Sequence, residues 1–529
     1  MFPKKIFKSI IVFFFSLLIL IPFLSLDSMG IKPLSGGSES FAYGWVYAIR
    51  WLNNEYAFQP HSQPLFVIYS VIYKLFSINE YKGWELFEKW RVINYYWTIL
   101  LSFISIFLIY YHHKNNLFEI IVFYFLYYFL ITLQLGDDTL NSMSYHSISI
   151  PVALASLIIY QKLLKDKNYA KKSSFFYLSF YTAICALFKP TFIAFAAPLY
   201  ALILSDGKYF ELKKNFLNSS RTLIFSLIIY LSFLLLFYKF NFTNFFSHFY
   251  DTAYFMYSQK DWYDHEKGNN IFFWIYNFVY KRMGLLPFLI YIMIFVNIFF
   301  NEKIVTKKKK LFLFCTCLFS PLFFLYHRSY TLAFPEFYAA LLSMSIFTFN
   351  GSIIKHKIEY SLRKINILYQ SIFLIFFTII LLIMAINSKM AHGFNYQKNM
   401  VRTDKVLKNF DLKNNERIIF LSGYPEVFLG SIDALCRGTH NVFGGKRSML
   451  YDDKWENVCF HLNETREEIN LDLYKKIILI GTKYDEALNK AKQNFPKTME
   501  KSENCKVYKF DRKADFMGGD EMIIECDRK

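Results

Sequence analysis

Long apolar runs alternate with short polar loops along most of this chain. A helix needs about 20 predominantly apolar residues to cross the hydrocarbon core of a bilayer. Runs of that character fall near 6–26, 91–111, 117–135, 148–164, 173–188, 190–205, 221–238, 285–300, 310–326, 334–350 and 365–387. They predict a mainly α protein, a polytopic membrane bundle of about eleven spans. Residues 64–79, "PLFVIYSVIYKLFSIN", are shorter, start at Pro64 and carry Lys74. They predict a helix lying in or dipping into the membrane interface. From about 390 the pattern changes. "ERIIFLSG", "YKKIILIG", "CKVYKF" and "EMIIEC" read as short strands, and "TKYDEALNKAKQNF" as an amphipathic helix. The expected organisation is a membrane module over 1–389 and a small α/β domain over 390–529.

Charge then orients the bundle. "MFPKK", "YHHKN", "KLLKDKNYAKK", "DGKYFELKKNFLNSSR", "NEKIVTKKKK" and "KHKIEYSLRK" concentrate positive charge. All fall on the cytoplasmic side if 64–79 does not cross, as the positive-inside pattern requires. The N-terminus is then cytoplasmic and the tail periplasmic or extracellular, at a bacterial inner membrane. The net charge of +19 resides mostly in these loops, which argues against nucleic acid as a partner. Of seven cysteines, Cys185, Cys315 and Cys317 lie in apolar spans, whereas Cys436, Cys459, Cys505 and Cys526 lie in the tail. Four cysteines in an oxidising compartment predict two disulfides, with three possible pairings. The first apolar run is long for a signal peptide and lacks a small-residue cleavage site, so it is expected to remain as a span.

The outer face of this topology collects the unusual residues. The first loop brings Glu39, Arg50 and His61, and the turn "LGDDTLNSMSYHS" brings Asp137, Asp138 and His146. In "ALFKPTF", Lys189 and Pro190 break an apolar stretch into two short arms. A lysine at such a break is by default a functional candidate. The outer loop 239–284 carries "HFYDTAYFMYSQKDWYDHEKGNN", and the last turn, "YHRSYTLAFPE", carries His327, Arg328 and Tyr330. Cations suit a phosphate, aromatic faces suit a sugar or lipid chain, and a carboxylate suits proton abstraction from a hydroxyl. A lipid-phosphate-linked sugar uses all three.

The run from Ser38 to Phe76 resembles the first-loop signature of the GT-C glycosyltransferases, the multispanning enzymes that use polyprenyl-phosphate sugars. That signature is an acid after span one, an aromatic amphipathic helix, then a His/Pro-Pro-Leu-type juxtamembrane helix. Here these are "SE", "SFAYGWVYAIRWLNNEYAF" and "HSQPLFVIYSVIYKLF". "CALFKPTFIAFAAPLYALIL" is similar to the family's lysine-containing break, and "HRSYTLAFP" to its Arg-Tyr-x4-Pro turn. The resemblance covers most of residues 1–350. It implies a mannosyltransferase-like or aminoarabinose-transferase-like enzyme that moves a sugar to a cell-envelope glycan, lipid or protein acceptor with inversion. Glu39 is then the catalytic base. Lys189 and Arg328 hold the lipid phosphate, with Tyr330, Arg50, His61, Asp137, Asp138 and His146 around the substrate. Many members carry a paired acid in the first loop, but here Ser38 stands in its place. A divalent cation, Mg or Mn, would fall to Glu39 with Asp138 if one binds. There is no Trp-Trp-Asp motif of the oligosaccharyltransferase kind.

Competing readings are a ligase or polymerase of lipid-linked polysaccharide, a transporter or lipid flippase, and a membrane-anchored binding or sensor protein. The short late outer loop disfavours a polymerase. Spans free of midspan polar residues and a sequence free of internal repeats disfavour a transporter.

Overall fold

The computed structural model describes residues 51–52, 54, 62–76, 83–113, 123, 126–127, 145–165, 172–204, 209–258, 285–299, 310, 335–349, 418–422, 457–461, 476–481, 488–489, 491–493, 496–514 and 519–528. Within them the chain is mostly helical, with one small mixed sheet. The helices are α1 Gln63–Leu75, α2 Gly83–His113, α3 Tyr145–Lys165, α4 Lys172–Phe188, α5 Ile193–Leu204, α6 Tyr209–Phe237, α7 Phe242–Ser258, α8 Leu285–Phe299 and α9 Pro335–Phe349. A 3-10 turn, Pro190–Phe192, separates α4 from α5. The boundaries expected for α1, α3, α4, α5, α8 and α9 agree with these helices to within a few residues.

Helices α3 and α9 form the centre. Leu154, Ser149 and Leu157 of α3 and Phe337, Ala340, Leu341 and Ile346 of α9 are buried. Small polar side chains let these two backbones approach closely. Ser156 Oγ lies 3.0 Å from Ser343 Oγ, and Ser343 Oγ donates to the Ala153 carbonyl at 3.0 Å. Tyr181 of α4 donates to the Val152 carbonyl at 2.9 Å. Helices α2, α6 and α8 pack around this centre with one apolar face outward. Phe103 and Phe107 of α2, Ile224 and Leu227 of α6, and Ile292 and Val296 of α8 are exposed. Among the described residues, Lys213–Phe237 is the one helix long and apolar enough to cross a membrane; six shorter apolar helices accompany it.

The sheet has the order β2-β1-β3-β5-β4, from β1 Ile418–Ser422, β2 Asn457–His461, β3 Lys476–Gly481, β4 Ser502–Ala514 and β5 Gly519–Arg528. β1 pairs in parallel with β2 and β3, while β5 pairs antiparallel with β3 and β4. A short helix, α10 Pro496–Glu500, precedes β4. Residues 488–489 and 491–493 are helical, within the expected amphipathic segment. Cys505 and Cys526 are joined by a disulfide with their Cα atoms 4.1 Å apart. It crosses the β4–β5 hairpin beside a register shift between Glu503 and Lys506, and it selects one of the pairings the sequence leaves open. Cys436 lies outside the described residues.

Three expectations change. The stretch 239–284 reads as a loop, but Phe242–Ser258 is a helix. Asn241 starts it, because its side-chain oxygen accepts from the Asn244 amide at 3.1 Å, a helix N-cap. The basic segment before 221 reads as a loop, but α6 already begins at Tyr209. Strand β2, "NVCFH", was not expected. The spans near 6–26 and 365–387, most of 117–135 and 310–326, and the junction at 389/390 lie outside the described residues.

Candidate functional site

The break between α4 and α5 follows from two local rules. Proline at 190 has no amide hydrogen, and it disfavours helical geometry at the residue before it. Lys189 accordingly adopts an extended conformation, φ −163° and ψ 128°. Its amide still donates to the Cys185 carbonyl at 3.0 Å, closing α4, and its carbonyl accepts from the Phe192 amide at 2.8 Å. Thr182 Oγ1 and Tyr200 OH meet at 3.1 Å across the break, holding the two arms together.

This conformation sends the Lys189 side chain to the start of α9. Its Nζ lies 2.8 Å from Glu336 Oε1. Both groups are buried: Lys189 is 9% exposed and Glu336 2%. The pair is favoured by its position. Lys189 follows the C-terminus of α4, where carbonyls collect, and Glu336 sits in the first turn of α9, where amides collect. The break is open on one side, since Pro190 and Ile193 are exposed.

The head of α1 docks on the same break. Ser62 donates its amide to the Leu187 carbonyl at 3.0 Å and its hydroxyl to the Phe188 carbonyl at 3.1 Å. It does so at φ 72°, the left-handed region that favours glycine. The N-terminus of α1 is thereby fixed beside the lysine, with Gln63 buried. Helix α1, the helix break and the head of α9 therefore converge at one end of the bundle.

A second cluster lies one helix away. Trp51 Nε1 donates to the Phe237 carbonyl at 2.7 Å, and the two rings stack with centroids 5.8 Å apart. Phe66 of α1 contacts Phe237 at 6.2 Å between centroids. Lys239 and Phe240 both take left-handed φ, 53° and 60°, turning the chain from α6 into α7. Lys239 Nζ reaches back to the Trp51 carbonyl at 2.7 Å and to Asn54 Oδ1, and lies 4.7 Å from the Trp51 ring centre. Burial, and secondarily the charge of Lys74, lowers the Lys239 pKa below its ordinary value. On α7, His248 Nδ1 lies 2.9 Å from Tyr238 OH. His248 and Asp251 are both buried, and burial pushes the His248 pKa down to about 4.

Of the residues the sequence nominated, Lys189 is at the centre of this convergence. His146 falls in the first turn of α3. Glu39, Arg50, His61, Asp137, Asp138, Arg328 and Tyr330 lie outside the described residues. Sequence reasoning passed over Glu336, although it stands in "YHRSYTLAFPE" directly after Pro335. A carboxylate opening an apolar span on the same expected face as Lys189 was the available signal. Ser62, His248 and Asp251 were also passed over. Among the described residues, no three His, Cys, Asp or Glu side chains gather as a metal site. No protein-family model matches this chain, and no curated protein or solved structure matches it either.

Proposed function

We propose that the chain is a membrane glycosyltransferase of the GT-C kind, moving a sugar from a polyprenyl-phosphate carrier to a cell-envelope acceptor at the outer membrane face. The observation that carries this reading is the meeting of three distant segments at one bundle end. The broken-span lysine, the N-terminus of α1 and the first turn of α9 stand together there. These are the segments that the resemblance assigns to the lipid-phosphate and sugar site.

The environment of the helices supports a membrane setting. Exposed faces of α2, α6 and α8 are rows of large apolar side chains, while serines and threonines point inward. A water-soluble monomer rarely exposes apolar patches of that extent. The disulfide Cys505–Cys526 supports a tail outside the cytoplasm. The eleven-span topology, with the N-terminus inside and the tail outside, belongs to this proposal.

In the proposed reaction the Glu39 carboxylate removes the proton of an acceptor hydroxyl. The hydroxyl oxygen attacks the anomeric carbon from the face opposite the phosphate. The bond from that carbon to the phosphate oxygen breaks, and the polyprenyl phosphate leaves with the electron pair. The anomeric configuration inverts. Lys189 and Arg328 neutralise the leaving phosphate, a contribution of about 3 kcal/mol in a water-poor cavity.

The test is sugar transfer by the full chain in lipid nanodiscs, supplied with a panel of polyprenyl-phosphate sugars, with and without chelator. Transfer from one donor, lost in Glu39→Gln and Lys189→Met, is the expected result. Transfer unaffected by Glu39→Gln removes Glu39 from the base role. No transfer from any donor, with donor phosphate bound no better than to empty nanodiscs, rejects the reading.

A further inference from the structure

We propose that Glu336 is a displaceable counter-ion, holding the phosphate position on Lys189 until an anionic phosphate headgroup takes its place. This rests on the reading of Lys189 as a lipid-phosphate contact and adds a residue and an exchange step to it.

The argument begins with the cost of the pair. A buried ion pair loses the hydration of both partners, and apolar replacements are often as stable or more so. The pair at 2.8 Å thus needs a reason beyond packing. Its position supplies one. Lys189 sits at a helix break with exposed Pro190 beside it, so an anion can approach from that side. Glu336 does not depend on Lys189 alone for compensation. It occupies the first turn of a 15-residue helix, and the positive end of the helix dipole favours a carboxylate there. When the lysine turns to a phosphate, the carboxylate keeps that support. The lysine is flexible enough for the exchange, a compact charge on a four-carbon stem with rotatable donors.

The exchange has a directional consequence. With Glu336 in place the resting site is neutral, so stray anions are held weakly. A bound phosphate faces a carboxylate that competes for the same lysine, which favours its release after the bond to the sugar breaks. A ligand that must displace an internal competitor binds more weakly by the fraction of time the site is free.

The experiment is equilibrium binding to the full chain in nanodiscs, using a short-chain polyprenyl phosphate in one arm and inorganic phosphate in the other. Wild type, Glu336→Gln and Lys189→Met are compared at a temperature where melting curves show each folded. The expected result is that Glu336→Gln binds the polyprenyl phosphate roughly tenfold tighter, while Lys189→Met loses binding. Where Glu336→Gln does not fold, Glu336→Asp draws the carboxylate back by one methylene and is expected to tighten binding by a smaller factor. Lost binding in Lys189→Met with unchanged or weakened binding in the Glu336 variant overturns the counter-ion role and leaves the phosphate site standing. Wild-type binding by Lys189→Met overturns the phosphate site itself. Tightening seen with inorganic phosphate alone overturns the lipid headgroup as the ligand.

Discussion

Removing one partner of the Lys189–Glu336 pair leaves a charge with little water around it. Such one-sided changes cost on the order of 3 kcal/mol, whereas replacing both partners by apolar groups is often close to neutral. Lys189→Met alone is therefore expected to melt lower than wild type in detergent, and Lys189→Met with Glu336→Leu to recover most of the loss. Equal losses in the single and double variants would show that the pair adds nothing beyond its packing. His248 gives a pH-dependent counterpart. Its folded-state pKa, about 4, lies below the ordinary 6.5 because the ring is buried. Between those values the unfolded chain binds the additional proton, so stability rises with pH across the window and is lost as pH falls from about 6.5 toward 4. A shift of that size is worth on the order of 3 kcal/mol. Tyr238 OH is its hydrogen-bond partner among the described residues, and His248→Gln is expected to flatten the melting temperature between pH 7 and 5. An unchanged pH profile in that variant would assign the acid sensitivity to other groups.

At the scale of elements, Ser62 ties the N-terminus of α1 to the end of α4. Ser62 carries a left-handed φ of 72° and two hydrogen bonds to the end of α4. Proline there requires φ near −65° and deletes the amide, so Ser62→Pro is expected to undock α1 at a cost of about 3 kcal/mol. Ser62→Gly suits the φ and loses only the hydroxyl bond, so its melting temperature is expected to stay close to that of wild type. Similar melting curves for the two variants would mean that the docking is incidental. The elements the sequence displayed best were those with one dominant signal. α4 and α5 are apolar runs cut by a Lys-Pro pair, and β3 is a short aliphatic strand. The ones it hid had mixed signals. α7 interleaves aromatics with Asn, Ser, His and Asp, which reads as an outer loop until Asn241 is seen to cap it. The start of α6 carries exposed Lys213 and Lys214, and reading them as a basic loop between spans masked their helical propensity. Strand β2 has five residues, too few to show a period. Lys189 was legible because a charge stands out among apolar neighbours; Glu336 was not, because an acid after a proline is ordinary at a helix start.

At the scale of the molecule, the described contacts define two ends of unlike character. One end holds Ser62, Lys189, Lys239 and Glu336. At the other, Gln161 Nε2 lies 3.0 Å from His112 Nδ1, joining the ends of α2 and α3. Lys162 lies 3.1 Å from the Tyr177 ring centre near the start of α4. The chain leaves this basic end along α4, reaches the break, and returns along α5. It sets out again from Lys213 and Lys214 along α6 and arrives at Lys239. The proposed topology puts Lys213 and Lys214 on the cytoplasmic side and Lys239 on the outer side, whereas in a protein free in water both ends share one compartment. Single cysteines at exposed positions on the two ends discriminate between these cases, with labelling sites resolved by mass spectrometry. Thr243→Cys, just beyond Lys239, is expected to react with a membrane-impermeant maleimide on intact cells. Lys213→Cys is expected to react only after permeabilisation. Reaction of both sites on intact cells, or of neither, would place the two ends in one compartment. The lipid-carrier reading would then fail with the topology, because its pocket must open at the outer leaflet while the basic end stays inside.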